Sequence, residues 1–291
     1  MTTRPRTALA LLVVLCTLVP GIGRAGAWLQ PEGGAFVKTS WLYLDTDRRH
    51  DCRGDEEPAA SFDGSFREHQ AFVYGEFGLH RRVTALVSMA VKDARITDAV
   101  VPEFGTRSTG DLRLGARWGL ATGSIPVSLE TVVSVPTYPE SDLSDPVGER
   151  EQFLPAGTGR IEIETRLQAG ASLYPLPVYA NLALGRRDRG GVFGDQWTVA
   201  AEVGATFDRV FVKSDLSAVL ADGDLCAGEA AVGAVTVHEQ SLRWSPEASW
   251  RLAGDVWVGA GASFLVSGRN TLDGTQWSLS VAWQRRPGGG G

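Results

Sequence analysis

The residue types that build most metal and hydrolase sites are scarce in this sequence. Its 291 residues include four histidines and three cysteines. It has no HExxH motif and no paired-histidine spacing typical of zinc. We therefore expect no metal ion, no cofactor and no enzymatic activity. A barrel hydrolase, whose residues would converge from distant strands, stays open as a minor alternative.

Long apolar runs are lacking as well. No segment beyond the N-terminus approaches the roughly 18 apolar residues of a transmembrane helix. The N-terminus carries Arg4 and Arg6, an apolar stretch over residues 8–20 and an A-x-A-like site at residues 25–27. This order predicts a secretory signal peptide over residues 1–27. Any residence in a membrane would then require a closed β-barrel.

Basic residues are outnumbered by acidic ones, 28 Lys and Arg against 34 Asp and Glu. The predicted signal peptide holds three arginines and no acid, so its removal leaves 25 basic residues and a net charge of −9. Nucleic-acid binding depends on basic side chains that neutralise phosphates. We therefore expect no nucleic-acid partner.

Two cysteines, Cys52 and Cys226, remain after removal of the signal peptide, and both lie in polar, loop-like segments. An exported chain passes through an oxidising compartment, which permits a disulfide between them. Two separate loop thiols fit the sequence equally well.

What the sequence does contain is sustained alternation, seen best at residues 159–185. Apolar side chains occupy every second position of residues 161–173, and the intervening positions include Glu162, Glu164 and Arg166. A period of two predicts a β-strand, because successive side chains point to opposite faces of a sheet. Residues 174–177 then predict a turn, and a second alternation over residues 178–185 completes a hairpin.

The same pattern recurs along the chain and predicts about twelve strands joined by loops that alternate between long and short. The predicted strands cover residues 35–45, 65–79, 83–92, 111–121, 127–135, 161–173, 178–185, 196–207, 210–221, 241–252, 256–267 and 276–283. Alternating loop length and an even strand number are typical of outer-membrane barrels. We predict an all-β fold, a single antiparallel transmembrane β-barrel over residues 28–286 with short periplasmic turns, long extracellular loops and a Gly-rich tail at 287–291. A soluble β-sandwich is the alternative.

Aromatic residues near the strand ends fall on the predicted outward face. In outer-membrane barrels such rings form girdles at the two membrane interfaces. The predicted girdle consists of Trp41, Tyr43, Trp118, Trp197, Trp244, Trp250, Trp277 and Trp283.

Charged residues fall on the opposite face, where they would line the lumen. The predicted lumen residues are Arg113, Arg117, Glu130, Glu162, Glu164, Arg166, Glu202, Lys213, Asp215, Arg243, Glu247 and Arg251. Such charges either line a water-filled path or pair into a closed network. The first arrangement predicts a channel or transporter for a small solute, and the second a non-conducting barrel. The expected partners are outer-membrane lipid, the barrel-assembly machinery and an unidentified small solute.

Several short segments resemble a known barrel family. They are Thr109-Gly110-Asp111-Leu112, Val135-Pro136-Thr137 and Pro155-Ala156-Gly157-Thr158-Gly159. Together they are similar to outer-membrane barrels associated with the meta-pathway of phenol degradation. Residues 27–33 resemble an XagA-like, exopolysaccharide-associated group. The resemblance implies an outer-membrane location in a Gram-negative bacterium and transport of a small hydrophobic or aromatic compound, or else a role linked to polysaccharide.

Overall fold

A computed structural model describes residues 26–60, 63–97, 104–138, 156–191, 193–226, 231–232 and 235–287. Within these ranges regular structure consists of β-strands. No helix of the described chain is long and apolar enough to cross a membrane. The predicted signal peptide lies outside the described residues except for Gly26 and Ala27, and so does the tail beyond Pro287.

Twelve long strands form the wall. They are β1 Ala35–Thr46, β2 Ser65–His80, β3 Val83–Thr97, β4 in two parts, Phe104–Thr109 and Leu112–Ala121, β5 Val127–Val135, β6 Glu162–Ser172, β7 Val178–Asp188, β8 Gln196–Phe207, β9 Val210–Ala221, β10 Gln240–Ala253, β11 Val256–Arg269 and β12 Gln276–Arg285.

Each strand pairs antiparallel with the next, and β12 pairs with β1 to close the sheet on itself. The closing register runs from Ala35 opposite Arg285 to Leu44 opposite Gln276. The prediction of a twelve-stranded antiparallel barrel is therefore confirmed. Closure leaves no sheet edge with unpaired backbone groups, which a chain in lipid must avoid.

The two rims of the barrel differ. We call one of them the short-turn rim. It holds the tight connections, such as Asp208-Arg209, together with the first residue of β1 and the last residue of β12. The opposite, long-loop rim holds the longer connections. The hairpin of residues 159–185 forms β6 and β7, and its turn lies at the short-turn rim.

One predicted loop is wrong. Residues 93–108 were expected to be a loop, yet β3 continues to Thr97, and Phe104–Thr109 pairs with it as the first part of β4. Arg95 contacts Asp93 at 3.1 Å, and Asp93 lies opposite Arg107. Here the outward positions carry charged side chains and the apolar Ala94 and Ile96 are buried inside, so the apolar residues change from the outward to the inward face and the pattern of the preceding residues is reversed.

The outward face carries the aromatic residues that the sequence placed there. In the register, Trp41, Tyr43, Trp197, Trp244 and Trp277 lie toward the long-loop rim. Trp118, Trp250 and Trp283 lie toward the short-turn rim. All seven of these tryptophans are exposed. The two remaining tryptophans, Trp28 and Trp257, point inward.

A compact cap covers part of the long-loop rim. Arg48–His50 pairs with Glu56–Pro58 and with Thr271–Asp273 in a small three-stranded sheet. A disulfide joins Cys52 to Cys226 and so links two loops 174 residues apart in sequence. Beneath the sheet, Leu272 packs into an apolar cluster with Phe66 and other inward residues of β1 to β3.

Candidate functional site: the barrel lumen

The segment before β1 enters the lumen at the short-turn rim. The backbone N–H of Ala27 donates to Asn181 Oδ1 at 2.9 Å, and that of Gln30 donates to Thr84 Oγ1 at 2.9 Å. The Gln30 side chain donates from Nε2 to Glu76 Oε2 at 2.7 Å. Ala27 and Gln30 are buried. We call residues 26–31 the plug segment, since they fill this end of the barrel.

Glycines on the inward face make room for the plug segment. A Cβ atom at Gly78 would lie 1.9 Å from the carbonyl oxygen of Pro31, and one at Gly170 would lie 2.6 Å from the ring of Trp28. Arg117 donates from Nη1 to the carbonyl oxygen of Trp28 at 3.1 Å. A larger residue at Gly78 or Gly170 would therefore clash with the plug segment. The plug segment can occupy this position only because these two residues have no side chain.

Buried ion pairs form one side of the lumen, and Glu130 lies at their centre. Its carboxylate lies 2.7 Å from Arg117 Nη2, contacts Arg166 and accepts a hydrogen bond from Gln168 Nε2 at 3.0 Å. Arg117 also reaches Glu76 at 3.2 Å. Glu130 and Arg117 are almost fully buried. Because each of these two side chains lies beside a partner of opposite charge and makes hydrogen bonds, the free-energy cost of burying its charge is offset.

A second carboxylate, Glu164, extends this chain toward the long-loop rim. Arg113 and Arg187 lie 3.0 and 3.1 Å from its Oε2 atom, and Arg166 lies 3.7 Å from Oε1. Thr198 donates to Oε1 at 3.1 Å. Three arginines thus surround one carboxylate, which makes this part of the wall positively charged.

A separate ion-pair group crosses the lumen. Lys38 on β1 lies 2.6 Å from Glu247 on β10. Lys213 lies 3.1 Å from Glu202 and 3.9 Å from Glu247. The hydroxyl of Tyr179 donates to Glu202 Oε1 at 2.6 Å. These contacts connect β1 to β10 across the two strands between them, and link β7, β8, β9 and β10 through their inward side chains.

An aromatic cavity lies beside this group, above the plug segment. It has a volume of about 240 Å³, and Gln30 of the plug segment lines it. Tyr179 and Phe211 stack with ring centroids 6.3 Å apart. We call this space the aromatic chamber after the six rings that line it, those of Phe36, Phe72, Tyr74, Tyr179, Phe211 and Trp257.

A second cavity of about 150 Å³ lies toward the long-loop rim. Arg189 spans its wall, with Nε 3.4 Å from Glu162 and its terminal nitrogens donating to the carbonyl oxygens of Thr236 and Val237. Burial lowers the pKa of Arg189, and Glu162 opposes this shift. We call this space the polar chamber. Its charged and amide lining residues are Glu68, Lys92, Asp111, Glu162, Arg187, Arg189, Gln196 and Glu239.

Comparisons with known proteins identify the architecture. No family model matches the chain, and no curated protein matches its sequence. The COG4313 outer membrane channel from Pseudomonas putida F1 is 12% identical with a TM-score of 0.67, and the match covers 91% of this chain and 100% of that one. The NanC porin is 5% identical with a TM-score of 0.50, covering 84% and 98%. The fold is that of an outer-membrane β-barrel. At such low identity the likeness establishes the fold alone.

In an outer-membrane barrel the inward face lines the lumen, and the strand register places all of the predicted lumen residues there. Ten of them form ion pairs with described residues: Arg113, Arg117, Glu130, Glu162, Glu164, Arg166, Glu202, Lys213, Glu247 and Arg251. Arg243 instead donates to the carbonyl oxygen of Leu272 at 3.2 Å, and Asp215 lies on the same face as Lys213. Most charged side chains of the lumen are therefore paired with other side chains of the barrel.

Sequence reasoning missed several residues of the barrel lumen. Lys38, Glu76 and Arg187 occupy inward positions of β1, β2 and β7, so the period of two could have found them. The plug segment gave no such signal, because it precedes the first strand and has no alternation. Only the contacts of the plug segment with the wall show that it lies inside the barrel.

Proposed function

We propose that this protein is an outer-membrane channel of a Gram-negative bacterium that admits small, largely apolar aromatic solutes. The observation that carries the proposal is the aromatic chamber, a cavity of about 240 Å³ in which six rings lie beside the ion-paired Lys38, Lys213 and Glu247. An apolar cavity of about 150 Å³ in a protein interior binds benzene. The chamber is therefore large enough for a substituted single ring.

The proposed channel is closed at rest. In the orientation expected for such barrels, the plug segment closes the periplasmic end and the disulfide-linked cap covers part of the extracellular end. The P. putida protein is described as an outer-membrane channel. A passive route through this barrel would need the plug segment to move aside, since Gln30 and Trp28 lie within the lumen.

Filling the chamber tests the proposal. Ala282 lines the chamber from β12, and the neighbouring Val281 points outward. We expect Ala282→Phe to abolish the uptake of radiolabelled toluene by cells that express the protein, because the added ring occupies the cavity. Val281→Phe adds the same ring to the outer surface and should leave uptake unchanged. Equal uptake by the two variants and by cells without the protein would contradict the proposal.

The ion pairs favour a second candidate, a non-conducting barrel with a structural or polysaccharide-associated role. Paired charges such as Glu130 with Arg117 and Arg166 link neighbouring strands of the wall and leave these side chains engaged with one another. In this case neither the unaltered protein nor a variant lacking residues 26–31 would show channel events in planar bilayers. Current through the variant would reject the structural candidate.

A further inference from the structure

Charged side chains continue the outward face of β1 to β4 toward the long-loop rim. The strand register places two rows of outward residues across these four strands: Tyr43, His69, Asp93 and Arg107 in the first, and Asp45, Arg67, Arg95 and Gly105 in the second. The side chains of Arg67 and Arg95 are 52% and 50% exposed, and Arg107 is exposed as well. We call these three arginines, together with Asp45 and Asp93, the arginine surface.

The arginine surface lies directly beyond rings of the predicted girdle. The Tyr43 ring stacks with that of Trp41 at a centroid distance of 6.0 Å and lies 4.9 Å from the ring of His69. Arg67 follows His69 by two residues, which is about 7 Å along a strand. The headgroup layer on each side of a bilayer is about 5–7 Å thick. If these rings mark the membrane interface, the guanidinium of Arg67 lies at the height of the lipid headgroups.

Two arginines of this surface face each other. Arg67 on β2 lies directly opposite Arg95 on β3. The Cβ atoms of such a pair are about 4.5–5.5 Å apart, and like charges in this position are destabilising. Arg107 lies opposite Asp93 and adds a third positive charge. Within the two rows three arginines thus meet two aspartates, and an anion between Arg67 and Arg95 would remove their repulsion.

The two aspartates orient the arginines but do not use all of their donors. Arg67 donates from Nε to Asp45 Oδ2 at 3.0 Å, and its Nη2 lies 3.0 Å from the same oxygen. Arg95 donates from Nε to Asp93 Oδ1 at 3.1 Å. A guanidinium has five N–H donors and binds phosphate through two parallel hydrogen bonds. Arg67 can therefore keep its contact with Asp45 and bind a phosphate group as well.

Another outward arginine near the long-loop rim has the opposite charge balance. Arg186 on β7 lies opposite Trp197, with its guanidinium 5.3 Å from the centre of that ring. Its terminal nitrogens lie 2.6 Å from Asp222 and 2.8 Å from Asp195. One arginine there meets two aspartates. An excess of positive charge is thus a property of the arginine surface and not of outward arginines at this rim in general.

We infer that the arginine surface binds the phosphate groups of a lipid headgroup in the outer leaflet, the headgroup chemistry of lipopolysaccharide. The next outward residues of β2 and β3 toward the short-turn rim are apolar, among them Val73 and Val91, and both are exposed. A phosphate at the arginine surface therefore adjoins a wall suited to acyl chains, which favours a lipid over a free anion. The inference rests on the proposed function in one respect, that the barrel lies in an outer membrane with its long-loop rim outside.

The test compares two lipids that differ only in phosphate. Full-length protein in detergent is mixed with diphosphorylated lipid A or with the same lipid after phosphatase treatment, and native mass spectrometry measures the bound lipid. We expect the phosphorylated form to bind at least about tenfold more tightly, since hydrogen bonds between charged groups add to the apolar contacts. The double variant Arg67→Gln with Arg95→Gln should bind both lipids equally within about twofold.

Arg186→Gln is the matched control, because it removes an outward arginine near the same rim, and it should retain the preference. Heat-modifiable migration on a gel should show that every variant is folded. Equal binding of the two lipids by the unaltered protein, or an unchanged preference in the double variant, would overturn the inference. Displacement of the lipid by inorganic phosphate alone would also overturn it, because the site would then bind a free anion.

The outcomes are distinguishable from those of the uptake experiment. The double variant should take up toluene as the unaltered protein does, because its substitutions lie outside the lumen. A phosphate preference combined with toluene uptake that Ala282→Phe leaves unchanged would support the lipid site and reject the proposed channel. Absence of the preference, with uptake abolished by Ala282→Phe, would reject the lipid site and leave the channel standing.

Discussion

The ring of Trp28 occupies the space that a side chain on residue 170 would fill, since a Cβ atom at Gly170 would lie 2.6 Å from the indole. Gly170 lies on the inward face of β6. Tyr179 lies on the neighbouring strand β7, and its ring meets Trp28 edge-on at a centroid distance of 5.5 Å. The position of the plug segment thus depends on a residue without a side chain. A single substitution at Gly170 should therefore displace the plug segment.

Gly170→Leu should displace Trp28 and raise the frequency of channel openings. The leucine side chain cannot share the space with the indole, and the plug segment is held by only a few hydrogen bonds, including that of Gln30 to Thr84. Single-channel recording in planar bilayers measures the effect. Ala169→Leu, one residue away on the outward face, is the control and should behave as the unaltered protein. Similar opening frequencies in both variants would rule out a gating role for the plug segment.

Arg117→Met should destabilise the barrel strongly. It leaves Glu130 and Glu76 buried with fewer partners, and breaking such a pair costs about 3–5 kcal/mol. Urea unfolding in detergent, followed by tryptophan fluorescence, measures the loss. Arg67→Met is the control, because Arg67 pairs with Asp45 on the exposed outward face, where an ion pair contributes little to stability. Equal losses in the two variants would show that the buried network is not a stabilising element.

Cys52→Ser should loosen the cap without unfolding the wall. The disulfide to Cys226 is the covalent link between two loops of the long-loop rim, whereas each wall strand is held by its own backbone ladder. Trypsin should then cleave faster after Arg53, next to the freed residue. Cys226→Ser should give the same rate, and the double variant no further increase. Cleavage at the rate of the oxidised protein would show that the small sheet alone holds the cap.

Glu164→Gln should shift the ion selectivity of the open channel toward anions. Arg113, Arg166 and Arg187 surround this carboxylate, and its loss leaves their charges uncompensated. The reversal potential in a KCl gradient, recorded with Gly170→Leu as the open background, should move toward the chloride potential. Glu57→Gln removes the same charge in the small sheet of the cap, where Glu57 pairs with Arg49, and is the control. An unchanged reversal potential would place Glu164 outside the ion path.

The wall of the barrel followed from local sequence patterns. Alternation such as that of residues 161–173 fixed both the strand and its two faces, because a strand places successive side chains on opposite sides whatever its neighbours are. The prediction was wrong at residues 93–108. At this end of β3 the outward face carries Asp93 and Arg95, whereas the apolar Ala94 and Ile96 point inward, so the alternation of the preceding residues is reversed.

The contents of the lumen were less accessible to sequence reasoning. The alternation assigned charges to the inward face, but it could not pair Lys38 with Glu247, which lie on β1 and β10 and are 209 residues apart in sequence. Nor could it show that the hydroxyls of Ser241 and Thr271 would both donate to Glu239 beside the polar chamber. Such pairings depend on the distance across a closed barrel.

The sequence by itself therefore determined the class of fold, the number of strands and the outward or inward direction of their side chains. Only the tertiary structure decided that residues 26–31 fill one end, that Cys52 meets Cys226, and that rings such as Phe211 and Trp257 enclose a chamber. The physical reason is how far apart in the sequence the interacting residues lie. Strand periodicity arises between adjacent residues, whereas plug, cap and chamber exist only after β12 pairs with β1 and closure brings distant strands within contact distance.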